Sequence, residues 1–228
     1  MYDAVIFDND GVLVELADRT VLRDAAARTF DELGIDAAEE HVEEIVVGVT
    51  PETLRDICAA YDVDPETFWA TRDRLISEAQ CDLLRAGRTG LYDDFEAIHE
   101  VDAPLGIVSS NQQATVDFML DHFGTRDLFA TAYGRPPTVE SLTLKKPNAH
   151  YVERALADVG VDAALYVGDS PTDVEAAHRA GLDSAFLRRP HRTGLTLDVT
   201  PTYELRGLRD LLRISRVPTR TADNVAGD

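Results

Sequence analysis

The run Ala4, Val5, Ile6, Phe7, ending in Asp8, constrains the fold more than any other stretch of the chain. Four apolar residues without a polar alternate describe a strand buried on both faces, as in a parallel sheet covered by helices on either side. The run gives way at once to Asp8, Asn9, Asp10 and Gly11. In extended backbone, residues two apart project to the same side, and Gly11 lets the chain turn immediately. Asp8 and Asp10 therefore crowd one spot. Like charges about 4 Å apart repel by roughly 4 kcal/mol at an effective dielectric of 20, so the pair calls for a cation, a shared proton or open solvent. Taken alone, Asn-Asp-Gly is also an ordinary turn after a strand.

From Leu91 onward the chain repeats this pattern. Strands are predicted over 104–109, 128–133, 164–167 and 184–187, and helices over 94–100, 112–123, 147–159 and 171–180. Strands alternating with helices imply an α/β fold with a doubly wound parallel sheet, whose ligands bind beyond the carboxyl ends of the strands. Residues 16–88 instead read as helices without a strand. Thr50 before Pro51 and Asp64 before Pro65 each place a capping side chain ahead of proline at the first helical position. The expected organisation is a Rossmann-like core from 1–15 and 89–214, an inserted helical cap at 16–88, and a flexible polar tail at 215–228.

Composition excludes several classes of function. A formal net charge of -20 argues against nucleic acid and anionic membrane surfaces as partners, since both require a basic face. No run of 18 apolar residues suggests a membrane span, and the two cysteines, Cys58 and Cys81, are too few for a disulfide framework, so a cytoplasmic protein is expected. Many Asp and Glu with almost no Lys resembles the surfaces of proteins from salt-loving organisms. Of the 22 basic residues only Lys145 and Lys146 are lysine, side by side ahead of Pro147. The six histidines show no metal-ligand spacing and read as structural or surface residues.

Phe7 to Glu15, reading FDNDGVLVE, resembles the first motif of the haloacid dehalogenase-like (HAD) hydrolase superfamily. Three further segments match that superfamily in order, each at the end of a predicted strand. Ser109 in GIVSSN resembles the second motif, with Ser110 a competing assignment one residue on; a plain helix cap is the bland alternative. Lys146 in KKPNAH resembles the third motif, where a compact ammonium suits phosphoryl and carboxylate oxygens better than a planar guanidinium. Asp169 and Asp173 in GDSPTD resemble the fourth, although both also suit the first turn of a helix. Asn9 departs from the usual apolar residue, and the segment 134–144 ahead of Lys146 is long and irregular.

The resemblance implies a phosphatase of the phosphoglycolate phosphatase-like branch, acting on a small phosphorylated metabolite. Asp8 would attack phosphorus, Asp10 would serve as acid and base, and Ser109 and Lys146 would hold phosphoryl oxygens. Asn9, Ser110, Asn111 and, from the cap, Arg55 are the expected substrate contacts. Mg2+ would be held by Asp8, Asp10 (through its carbonyl), Asp169 and Asp173, oxygen ligands of the kind that ion prefers. A phosphomutase of the beta-phosphoglucomutase type shares all four motifs, with Arg55 as a holder of its second phosphate. A non-catalytic phosphate-binding protein on the same fold is the third reading. Oligomeric state is not readable from the sequence.

Overall fold

The computed structural model describes residues 1–220. Its centre is a six-stranded, fully parallel sheet in the order β3-β2-β1-β4-β5-β6. The strands are β1 (Ala4–Phe7), β2 (Leu105–Gln112), β3 (Phe129–Arg135), β4 (Ala164–Gly168), β5 (Asp183–Leu187) and β6 (Tyr203–Leu205). β1 lies between β2 and β4, with Phe7 beside Ile107 on one side and Val167 on the other. Every residue of β1 is fully buried, as its uninterrupted apolar sequence requires. Strand order reverses at β1, which places the ends of β1, β2 and β4 around the switch point where doubly wound sheets bind ligands.

Helices α1 (Arg19–Glu32), α2 (Glu39–Glu44), α3 (Pro51–Tyr61) and α4 (Pro65–Arg85) follow β1, and α5 (Gln113–Phe123), α6 (Ser141–Leu144), α7 (His150–Val159) and α8 (Pro171–Arg179) are distributed among the later strands. The capping signals act as the sequence implies: Thr50 Oγ1 accepts from Thr53 N at 3.1 Å, and Asp64 Oδ2 accepts from Thr67 N at 2.8 Å. The apolar side chains segregate into three clusters. One, with Val5, Phe7, Ile107 and Val167, covers one face of the sheet; a second, with Ile6, Val108, Val152 and Tyr166, covers the other. The third, around Phe30, Leu54, Phe68 and Trp69, is built from α1–α4 and the loop between α2 and α3, which adds Ile45, Val46 and Val49, together with Leu142 from α6.

Three elements depart from expectation. The helix expected to open at Pro147 begins at His150, because Asn148 closes a turn by donating its backbone amide to the Lys145 carbonyl at 2.9 Å and its side chain accepts from His150 N at 2.9 Å. β6 was not anticipated; with only Tyr203, Glu204 and Leu205 it is too short for periodicity to register. The start of the presumed flexible tail is attached: Tyr2 N donates to Arg216 O at 2.8 Å, Asp102 N to Pro218 O at 2.9 Å, and Val217 is buried. The rest of that segment, 221–228, lies outside the described residues. No helix among the described residues is long and apolar enough to cross a membrane.

Candidate active site

β1 delivers Asp8 to the rim of the sheet, and Gly11, at φ 82, turns the chain back so that Asp10 remains there. Gly11 also sits against Asp169: a Cβ at this position would meet Asp169 Oδ2 at 2.5 Å. β4 ends at Gly168, and Asp169 follows it. A side chain on Gly168 would collide with Asp173 Cβ at 2.2 Å, so glycine is what lets α8 begin directly over the strand. Ser170 and Asp173 form a capping box at that helix start.

Lys146 ties these segments together. Its Nζ lies 2.8 Å from Asp8 Oδ1 and 2.6 Å from Asp173 Oδ1, all three groups being buried. Carboxylate oxygens of Asp8, Asp169 and Asp173 come within 4.8 Å of one another. Burial disfavours charge on Lys146, yet Asp173 and Asp8 outweigh it and raise its pKa well above the usual lysine range. Burial raises the Asp8 carboxyl well above its ordinary value; Lys146 opposes this, while Asp173, Asp169 and Asp10 add to it. Lys146 faces Asp8 and Asp173 and Arg192 faces Asp169, so with Asp10 beside them the carboxylates outnumber the cationic groups they meet and the site is short of positive charge. Hard oxygen donors gathered around that deficit suit a divalent cation. Within the set Asp173 acts as a brace: its Oδ2 accepts from Asp169 N at 3.0 Å, Ser170 N at 2.9 Å and Ser170 Oγ at 2.8 Å. Asp8, and the oxygen of Asp169 that His191 and Arg192 do not engage, are left to meet an ion.

Asp10 is held from the end of β2. Ser109 Oγ lies 3.2 Å from Asp10 Oδ2, and Asn111 Nδ2 donates to Oδ1 at 3.0 Å and to Oδ2 at 3.2 Å. Burial raises the Asp10 pKa, and hydrogen bonds from Asn111, Ser109 and Asn9 lower it in part. The serine beside Asp10 is Ser109; Ser110 is instead engaged through its carbonyl, which accepts from Arg135 Nε at 3.0 Å. Asn9 donates its backbone amide to Asp8 Oδ1 at 2.7 Å, while its side chain turns toward α5 and meets Met119 Sδ at 2.9 Å. Arg55 is exposed on α3 and makes none of the ion pairs found among the described residues, so the structure does not bring it into this constellation. Exposed helical arginine is what a solvated surface residue looks like.

Several residues at the site gave no clear sequence signal. His191 Nε2 lies 2.5 Å from Asp169 Oδ2, and Arg192 Nε donates to the same oxygen at 3.0 Å, so His191 is not a plain surface histidine. The cluster Arg188, Arg189, Pro190, His191, Arg192 after the fifth apolar strand was the available hint. α4 contributes a buried polar row, Asp73, Ser77 and Gln80, spaced to lie on one helical face. It meets the β2–α5 junction: Thr115 Oγ1 donates to Ser77 Oγ at 2.7 Å, and Gln112 Nε2 donates to Asp73 Oδ1 at 3.2 Å.

Comparison with known proteins agrees with this architecture. A phosphoglycolate phosphatase from Rhodobacter capsulatus is 29% identical over 212 residues, 88% of this chain and 90% of that protein. A pyrophosphatase PpaX from Oceanobacillus iheyensis is 24% identical, covering 92% and 95% respectively. Among solved structures, CbbY from Rhodobacter sphaeroides in complex with phosphate superposes with a TM-score of 0.70 at 23% identity, over 92% of this chain and 96% of that one. Residues 5–187 match the family described as haloacid dehalogenase-like hydrolase, and the chain belongs to that family.

Proposed function

We propose that this HAD phosphatase is Mg2+-dependent and hydrolyses a small phosphorylated metabolite through an aspartyl-phosphate on Asp8. The observation that carries the reading is the arrangement of Asp8 beside Lys146 at 2.8 Å, with Asp10 two residues on and fixed by Ser109 and Asn111. The relatives named phosphoglycolate phosphatase and pyrophosphatase act on small phosphorylated compounds by name, which favours a metabolite over a macromolecular substrate.

Asp8 and Asp169, with the Asp10 carbonyl, would hold Mg2+, which when bound supplies charge neutralisation and fixes the phosphoryl group. Asp8 attacks phosphorus, and the bond from phosphorus to the leaving oxygen breaks. Asp10, whose burial favours the protonated form, donates its proton to the departing oxygen and afterwards takes one from the water that cleaves the aspartyl-phosphate. Lys146 balances charge on the nucleophile and the transferring group. Ser109, whose hydroxyl lies 3.2 Å from Asp10 Oδ2, would turn its proton to a phosphoryl oxygen while Asp10 is protonated.

The test is phosphate release from phosphoglycolate, pyrophosphate and an aryl phosphate, with and without Mg2+, for wild type and for Asp8→Asn and Asp10→Asn. Wild type is expected to require the ion, Asp8→Asn to be inactive, and Asp10→Asn to retain one phosphoryl group on Asp8, visible by mass spectrometry. Phosphate release by Asp8→Asn at the wild-type rate, or full activity in excess chelator, overturns the mechanism.

A further inference from the structure

The second lysine of the pair, Lys145, has no part in the mechanism above. Its backbone is extended, at φ -69 and ψ 164, so its side chain leaves the chain opposite to that of Lys146. Lys146 points down to Asp8, while Lys145 Nζ donates to the carbonyl of Val49 at 2.6 Å, in the loop between α2 and α3. That loop is tied to the same neighbourhood by Arg72, which donates from Nε to Ile45 O at 2.9 Å and from an amino group to Val46 O at 2.5 Å.

The positive charge here is not balanced. Arg72 and Arg135 are 5% and 3% exposed, and both pair with the single carboxylate of Asp73. Lys145 forms no ion pair among the described residues. Two guanidiniums and an ammonium thus share one anion in a chain whose net charge is -20. Burial, then Arg135 and Arg72, depress the Lys145 pKa to about 8, and burial first of all lowers that of Arg72 to about 10. Donors outnumber acceptors too: the Trp69 ring lies 4.9 Å from the Arg72 guanidinium and 4.7 Å from that of Arg135, and its Nε1 is buried with no partner. Unpaired positive charge withdrawn from water is costly, and an anion arriving with the substrate would offset it. The cluster also borders the phosphoryl site, because Arg135 Nε binds the carbonyl of Ser110, next to Ser109.

We infer that Lys145, backed by the charge of Arg72 and Arg135, is an anion-binding position on the cap side of the cleft that selects substrates carrying a second oxyanion, carboxylate or phosphoryl, distal to the transferred phosphate. The inference rests on the phosphatase reading and deepens it by naming a specificity-determining residue and the class of substrate it admits.

The experiment compares phosphoglycolate and pyrophosphate, which carry a distal carboxylate and a distal phosphoryl group, with 2-hydroxyethyl phosphate, which carries a neutral hydroxyl. Wild type is expected to prefer at least one charged substrate. Lys145→Gln should lose tenfold or more in kcat/KM for that substrate, chiefly through KM, and change less than twofold on 2-hydroxyethyl phosphate. Lys145→Arg should keep most of the preference and serves if the glutamine variant fails to fold. Which charged substrate responds identifies the oxyanion. Absence of a wild-type preference, equal losses on charged and neutral substrates, or loss of the preference in a folded Lys145→Arg all overturn the inference. A wild-type chain that releases phosphate from none of the three defeats the phosphatase reading instead. Calorimetric titration of phosphoglycolate into wild type and Lys145→Gln then decides the anion position, equal affinities overturning it.

Discussion

Gln80 and Asn111 exchange hydrogen bonds between α4 and the sheet: Asn111 Nδ2 donates to Gln80 Oε1 at 2.8 Å, and Gln80 Nε2 donates to Asn111 Oδ1 at 3.2 Å. The same Asn111 amide group holds both oxygens of Asp10. Placement of the Asp10 carboxylate is therefore set partly by a residue of α4. Replacing Gln80 with leucine removes the outer partner while leaving Asp10 and Asn111 in place. If proton transfer by Asp10 is worth the usual 10²- to 10⁴-fold, loosening it is expected to lower kcat by about tenfold with KM within about twofold. The loss should be larger for alkyl phosphates, whose leaving oxygen needs a proton, than for para-nitrophenyl phosphate. An equal loss on both substrates would mean that Gln80 acts through something other than Asp10.

How much of this was legible in the sequence follows from the range of each interaction. β1 and Asp8 could be read because a two-sided buried strand leaves a continuous apolar run and a charge marks where it stops. Asp169 and Asp173 could be placed because their spacing is local to one strand-to-helix turn. Gln80, Asp73 and Arg135 could not, since Arg135 is 62 positions from Asp73 and its partner appears only when α4 lies across the end of β3. A glutamine inside a long helix is compatible with any solvated face. The contact of His191 was not legible for the same reason: its partner Asp169 is 22 residues away, and no spacing rule links a loop after β5 to the end of β4. Tail attachment was missed because backbone groups carry it, as in Arg220 N donating to Glu100 O at 2.8 Å, and backbone groups leave no mark on side-chain pattern.

Asp73 is expected to be the most costly single truncation between α4 and the sheet. It accepts from both amino groups of Arg135, from Arg72 at 2.9 Å and from Gln112, and it is 1% exposed. Asp73→Ala leaves two buried guanidiniums without a counter-charge, which costs about 3–5 kcal/mol by the precedent of broken buried pairs. Equilibrium urea unfolding measures it. Asp73→Leu combined with Arg135→Met should recover part of the loss, because removing both partners leaves fewer charges stranded. A loss below about 1 kcal/mol for Asp73→Ala would show that water reaches these groups on unpairing.

Lys145 gives a pH signature. Its pKa is lowered to about 8 by burial first, then by Arg135 and Arg72, with Asp73 opposing. The ammonium is therefore present below pH 8 and lost above it, so KM for a substrate with a distal oxyanion is expected to climb through that pH. Lys145→Arg stays charged throughout and should abolish this limb without moving others. Linkage has the opposite sign for stability: between about pH 8 and the unfolded lysine value of 10.5 the unfolded chain binds more protons, so this residue contributes stability that grows with pH. An alkaline KM limb that persists unchanged in Lys145→Arg would assign it to another group.

Salt should stabilise the protein rather than weaken it. Acidic residues number 42 against 22 basic ones, so each surface carboxylate meets more like than unlike charge. Screening acts on both kinds of interaction, but exposed ion pairs such as Arg19–Glu43 and Arg85–Asp82 are worth only about 0–1 kcal/mol each, so little is lost by weakening them. The buried contacts of Lys146 and of Arg135 with Asp73 are shielded from salt by burial. Raising NaCl from 0.1 M to 1 M shortens the Debye length from about 10 Å to about 3 Å and removes most of the long-range self-repulsion. If that relief amounts to about 1–2 kcal/mol, Tm rises by roughly 2–8 °C for a chain of this size. Thermal unfolding in NaCl, with sucrose at matched osmolality as control, measures it. A fall in Tm with NaCl would mean that attractive surface pairs outweigh the excess negative charge.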